Sequence, residues 1–173
     1  LANRFIHLEM HTDVEEWRKW AMEAGIDVTI ISFISHRPDA LFAFDTQQDN
    51  RSFATPRTWE YVNEVLASDP DDDLIMPLVA GALGEELAAS FLGFRTVAGS
   101  LPDIDAILSG ESTEVPTEAS ALHVLCTALS MRVDDYTSTK KLNNLLAYSL
   151  NLPGEFAVMI VQDLRERHIE LDH

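Results

Sequence analysis

The chain has 173 residues, room for one ordinary domain or a small one with an extension, and its hydrophobic fraction of 46% is enough for a globular interior. Lys plus Arg number 12 against 29 Asp plus Glu, and the resulting net charge of -17 repels phosphate backbones and anionic lipid, so neither nucleic acid nor a membrane surface is an expected partner. No run approaches the ~18 apolar residues of a membrane span, no signal-peptide layout opens the chain, and one cysteine, Cys126, excludes an internal disulfide framework, so the cytoplasm is the expected compartment.

Arg4 to Met10 alternates as a short strand, with Phe5, His7 and Glu9 on one side and Ile6, Leu8 and Met10 on the other. A lone strand is not stable, and the first residue is Leu1 rather than Met, so its sheet is expected in upstream sequence of a longer protein. Thr12-Asp13-Val14-Glu15 predicts a capping box, Thr12 bonding forward and Glu15 reaching back, for a helix that carries Val14, Trp17, Ala21 and Ala24 and stops at Gly25. Asp27 starts a second helix through Ile30, Ile31, Phe33 and Ile34 to about His36, and Pro38 ends it. Residues 37 to 54 hold the longest polar connection, and Thr55-Pro56 opens a helix with Trp59, Val62, Val65 and Leu66 at helical spacing. Asp69-Pro70-Asp71-Asp72-Asp73 predicts a turn, then one long helix to about Val97 with Val79, Leu83, Leu87, Phe91 and Phe94 on one stripe. Gly81, Gly84 and Gly93 within it are expected to permit close backbone approach.

Residues 98 to 116 read as irregular, with a short turn over Ile104 to Leu108. Thr117 is the expected cap of a helix bearing Leu122, Leu125, Cys126 and Leu129, where the thiol sits on the leucine stripe as a core group. A further helix carries Leu142, Leu145, Leu146 and Leu150, and Pro153 opens the last one, with Phe156, Met159, Ile160 and Leu164. The expected fold class is all-α: one leading strand over residues 1–11, a helical region over 12–97 and a helical C-terminal extension over 98–173.

Arg57 is out of place. A helix N-terminus carries partial positive charge, so a cation in the first turn works against the dipole by roughly 0.3–1 kcal/mol. Two readings follow. An anion arriving at this end would meet N–H groups, dipole and guanidinium together, or Arg57 pairs with one of the many carboxylates, which on charge alone is the commoner outcome. Elsewhere the chemistry is bland. The lysines, Lys19, Lys140 and Lys141, follow no glycine, so a phosphate loop is absent from the sequence. His7, Glu9 and His11 lack the spacing of a metal helix, and the aspartates at 69 to 73 lack the glycine and terminal Glu of a calcium loop, so no metal site is expected. No serine, histidine and acid arrangement points to a hydrolytic triad.

Taken in order, Leu-Ala-Asn-Arg-Phe, a strand, two helices ending at His-Arg-Pro, a polar loop and Ala-Thr-Pro-Arg-Thr-Trp resemble the end of an AAA+ ATPase of the MoxR type, bacterial and prophage members in particular. The likeness covers residues 1 to about 66, loosens from 74 to 131 through Gly-Ala-Leu-Gly-Glu and Leu-Pro-Asp-Ile-Asp-Ala-Ile-Leu, and then ceases. The resemblance implies that residues 1–11 are the last strand of the αβ ATPase core, 12–97 the helical lid and 98–173 an extension. It implies that Arg57 is the sensor 2 arginine reaching the γ-phosphate, with Thr55 and Pro56 beside it at the nucleotide. Arg4 would be the arginine finger offered in trans to a neighbouring subunit, although Asn3 stands where the family has Asp. A guanidinium at a transferring phosphoryl group is worth on the order of 10³ or more in rate. ATP and Mg²⁺ in the full-length protein, its own N-terminal core, ring neighbours and a von Willebrand A domain protein are the implied ligands and partners, and the fragment alone, without Walker motifs, is expected to be inactive. The competing expectation is a helical protein-interaction module over residues 74–173 with no nucleotide role.

Overall fold

The structure, a computed structural model, describes residues 12–43, 52–98, 101–132 and 138–170. The strand expected at residues 4 to 10, Arg4 included, lies outside them. Among the described residues the fold is all-α: α1 (Val14–Ala24), α2 (Val28–His36), α3 (Pro56–Ala67), α4 (Asp72–Leu83), α5 (Glu85–Ala98), α6 (Ile104–Ser109), α7 (Ala119–Met131), α8 (Thr139–Ser149) and α9 (Gly154–Glu170). A 3-10 turn over Pro38–Leu41 follows α2, and one isolated antiparallel bridge, Ala43 to Ala54, ties the two sides of the polar connection.

Two helices are apolar on nearly every side and form the spine. In α2, Ile30, Ile31, Phe33 and Ile34 are all buried, and in α7 so are Leu122, Val124, Leu125, Cys126 and Leu129. A helix with no polar face must be covered all round. Accordingly α2 and α7 pack against each other, α1 and α5 flank α2, and α9 covers α7. Around α2 lies an aromatic core in which the Phe33 ring meets Trp59 at 5.7 Å and Phe91 and Phe94 at 5.4 Å each, in tilted or edge-on geometry. A second core of Leu108, Leu125, Leu129, Leu145, Phe156 and Ile160 joins α6, α7, α8 and α9. Val124 belongs to the first core and Leu125 to the second, so α7 is the wall between them.

Four local expectations are corrected. Asp13, not Thr12, caps α1, its carboxylate accepting from the Glu15 and Glu16 N–H groups at 2.9 and 3.2 Å. A charged acceptor reaching two orphan donors outcompetes a neutral hydroxyl one residue earlier. Thr117 does not cap α7, whose N-cap is Glu118 and makes no side-chain capping bond. The long helix expected from 74 to 97 is two helices, because Gly84 adopts φ +88 and breaks the ladder between α4 and α5. Of the three glycines, an added Cβ would meet Ser52 O at 3.4 Å at Gly84, while Gly81 and Gly93 have nothing within 4 Å and permit no close approach.

Candidate functional site

The start of α3 is fixed from several directions. Thr55 Oγ1 accepts from the Thr58 N–H at 3.1 Å, and Thr58 Oγ1 accepts in return from the Thr55 N–H at 2.8 Å, a capping box with threonine in place of glutamate. One turn in, Trp59 is fully buried and its indole Nε1 donates to the Ala40 carbonyl at 2.9 Å, bolting α3 to the 3-10 turn. Directly ahead of the cap, the Ala43 N–H donates to the Ala54 carbonyl at 3.0 Å.

On this fixed turn Arg57 is exposed, and among the described residues it has neither an ion pair nor a hydrogen bond. The carboxylate partner of the commoner reading is therefore not found among those residues. The supply of backbone donors is smaller than the sequence implied. Pro56 has no N–H and that of Thr58 is spent on the cap, which leaves the Arg57 N–H and its guanidinium to meet an anion. Thr55 and Pro56 thus position Arg57 rather than offering donors of their own. Arg4 lies outside the described residues, so its geometry relative to Arg57 is not described.

An open cleft of about 500 Å³ lies between the 3-10 turn and the start of α5, lined by Arg37, Ser52, Glu85, Glu86 and Ser90 among others. Its cation is already engaged: Arg37 donates to Ser90 Oγ at 3.0 Å and pairs with Asp39 at 3.2 Å.

Sequence reasoning missed a polar seam inside the molecule. Arg18 of α1 is buried and donates to both carboxylate oxygens of Asp163 on α9 at 3.2 Å, while its other terminal nitrogen reaches Glu15 at 2.8 Å. Burial pushes Asp163 upward more than the Arg18 charge pulls it down. Ser130 lies close enough to favour the charged carboxylate but makes no hydrogen bond of normal geometry. On α7 beside them, burial, the neighbouring His36 and the Arg18 charge hold His123 down to about 4, and burial with the Asp163 charge pushes the Cys126 thiol up to about 12. The signals were present. Asp163 falls on the Phe156, Ile160, Leu164 stripe and Arg18 on the Val14, Trp17, Ala21 stripe, and a charge on an apolar face asks for a buried partner. Among the described residues no three His, Cys, Asp or Glu groups are placed to hold a metal ion.

Among the described residues these features define an all-α protein with an arginine that has no ion pair at a fixed helix start, and a buried ion pair joining α1 and α9. No protein-family model, curated protein or solved structure matches the chain.

Proposed function

We propose that the chain is the lid and C-terminal extension of an AAA+ ATPase of the MoxR type. ATP lies between it and a Walker-type core carried on other sequence, and Arg57 contacts the γ-phosphate. The observation that carries this reading is the exposed guanidinium of Arg57, without an ion pair among the described residues, on a turn held by a capping box and a buried tryptophan. A cation that opposes the helix dipole and lacks local compensation is accounted for by an anionic substrate.

The chain's own chemistry then runs as follows. Thr55 and Thr58 hold the first turn, Pro56 sets its entry angle and Arg57 neutralises charge spread over the phosphoryl oxygens. Loss of the γ-phosphate releases Arg57, and because Trp59 bolts α3 to the 3-10 turn and packs against Phe33 of α2, the helical body swings with it. That swing is the motion transmitted to a remodelled protein, within a ring in which Arg4 serves the neighbouring subunit's nucleotide. A von Willebrand A domain protein is the partner the resemblance implies.

Packing supports this reading over a separate module beginning at residue 74. Such a module would take Val79, Leu83, Phe91 and Phe94 out of the core they share with Phe33 and Trp59. The test is ATP turnover by the protein that includes the nucleotide-binding core, with Arg57→Ala against wild type. A loss of about 100-fold or more with unchanged helicity is expected. Unaltered turnover would reassign Arg57 to the surface.

A further inference from the structure

Among the described residues the outer face of α4 is apolar, and Ser52 touches it at the Gly81 end, where its hydroxyl donates to the Gly81 carbonyl at 2.6 Å. Leu74 and Leu78 are 48% and 45% exposed. Pro77 and Gly81 are exposed as well, so positions 74, 77, 78 and 81 make a continuous outward stripe at helical spacing, while Val79 and Leu83 face the core.

Charge identifies the occupant. The stripe is bracketed by exposed Asp69, Asp71, Asp72 and Asp73 at one end and by exposed Glu85 and Glu86 at the other. Two copies of a chain of net charge -17 would bring acid against acid here, and an anionic lipid surface would be repelled in the same way. We propose that the outer face of α4 is a docking surface for an amphipathic helix of a partner protein, with a short apolar stripe flanked at both ends by Lys or Arg. The 12 residues of α4 span about 18 Å, which fixes the matching helix at about three turns. This surface is independent of any role for Arg57.

The probe is a labelled synthetic helix of about three turns with a leucine stripe and lysines at both ends, titrated with the whole chain by fluorescence anisotropy. One comparison peptide carries glutamates at the ends and another replaces the stripe with serine. Saturable binding that weakens with salt, and falls about tenfold or more for either comparison peptide, is expected. The variant Leu74→Ser/Leu78→Ser keeps every charge and removes no buried side chain, so it should melt like wild type and bind about tenfold or more weakly. Three kinds of result would overturn the proposal. One is equal binding of the lysine and glutamate peptides or undiminished binding by the variant. Another is self-association that the variant abolishes, which would make the occupant a second copy. The third is no binding at ~1 mM peptide, a concentration at which even a weak helix-in-groove contact registers, and which would mean that another part of this chain already fills the face.

Discussion

Cys126 lies among Leu122, Leu125 and Leu129 on the inner wall of α7, and its surroundings decide its chemistry more than its sulfur does. The thiolate is the reactive form, and burial together with the nearby Asp163 charge raises the pKa to about 12. Native protein at pH 8 should therefore resist a disulfide reagent such as dithiobisnitrobenzoate for hours, and the same protein in denaturant should react within minutes. Rapid labelling without denaturant would mean that α7 opens readily or that the thiol is misplaced. Arg57 is the opposite case. Its place in the first turn and its conflict with the helix dipole were legible, because a cap, a proline and a cation in successive positions need only local rules, whereas its exposure was not. The Arg18–Asp163 pair was not readable as a pair: its members stand 145 residues apart, and a single sequence carries no record of which stripes meet.

Most helices were legible because each is announced by a cap and an apolar period, and Asp27, Thr55 and Gly25 serve as caps in the structure. The break between α4 and α5 was hidden because Val79, Leu83, Phe91 and Phe94 keep one helical phase across it, both helices burying their stripes in the core around α2. Periodicity is blind to an interruption that preserves phase. A weaker signal stood in Gly84-Glu85-Glu86, a breaker followed by two acids that favour a new N-terminus. The three glycines of this region should thus respond in opposite directions. Gly84→Ala forces a Cβ into φ +88 and should cost about 1–2 kcal/mol, whereas Gly81→Ala and Gly93→Ala, helical and with open space around them, should each stabilise by about 0.5–1 kcal/mol. Urea midpoints of the three variants decide it. A single unbroken helix would make all three substitutions stabilising.

At the scale of the whole molecule, α7 is the wall on which both cores lean, and His123 makes that wall sensitive to acid. The ring is held between His36 of α2, with centroids 5.0 Å apart, and Phe156 of α9 at 4.9 Å, near Arg18 of α1, and its Nδ1 is buried without a hydrogen-bond partner among the described residues. Burial is the main reason its folded pKa falls to about 4 from 6.5, so on acidification the unfolded chain takes the proton first. The stability this residue contributes is complete above about pH 6.5 and is lost as the pH falls toward 4. Asp163 acts in the other sense: burial raises its pKa, so protonating it favours the folded form, and a wild-type pH profile alone mixes the two. The difference between wild type and His123→Gln isolates the histidine, since Asp163 is common to both. That difference should be level above pH 6.5 and shrink by on the order of 2 kcal/mol between pH 6.5 and 4, a value discounted from the full gap because part of the ring meets solvent. Denaturant melts at half-unit pH steps measure it. A flat difference across that window would place the imidazole in water rather than in the seam between the cores.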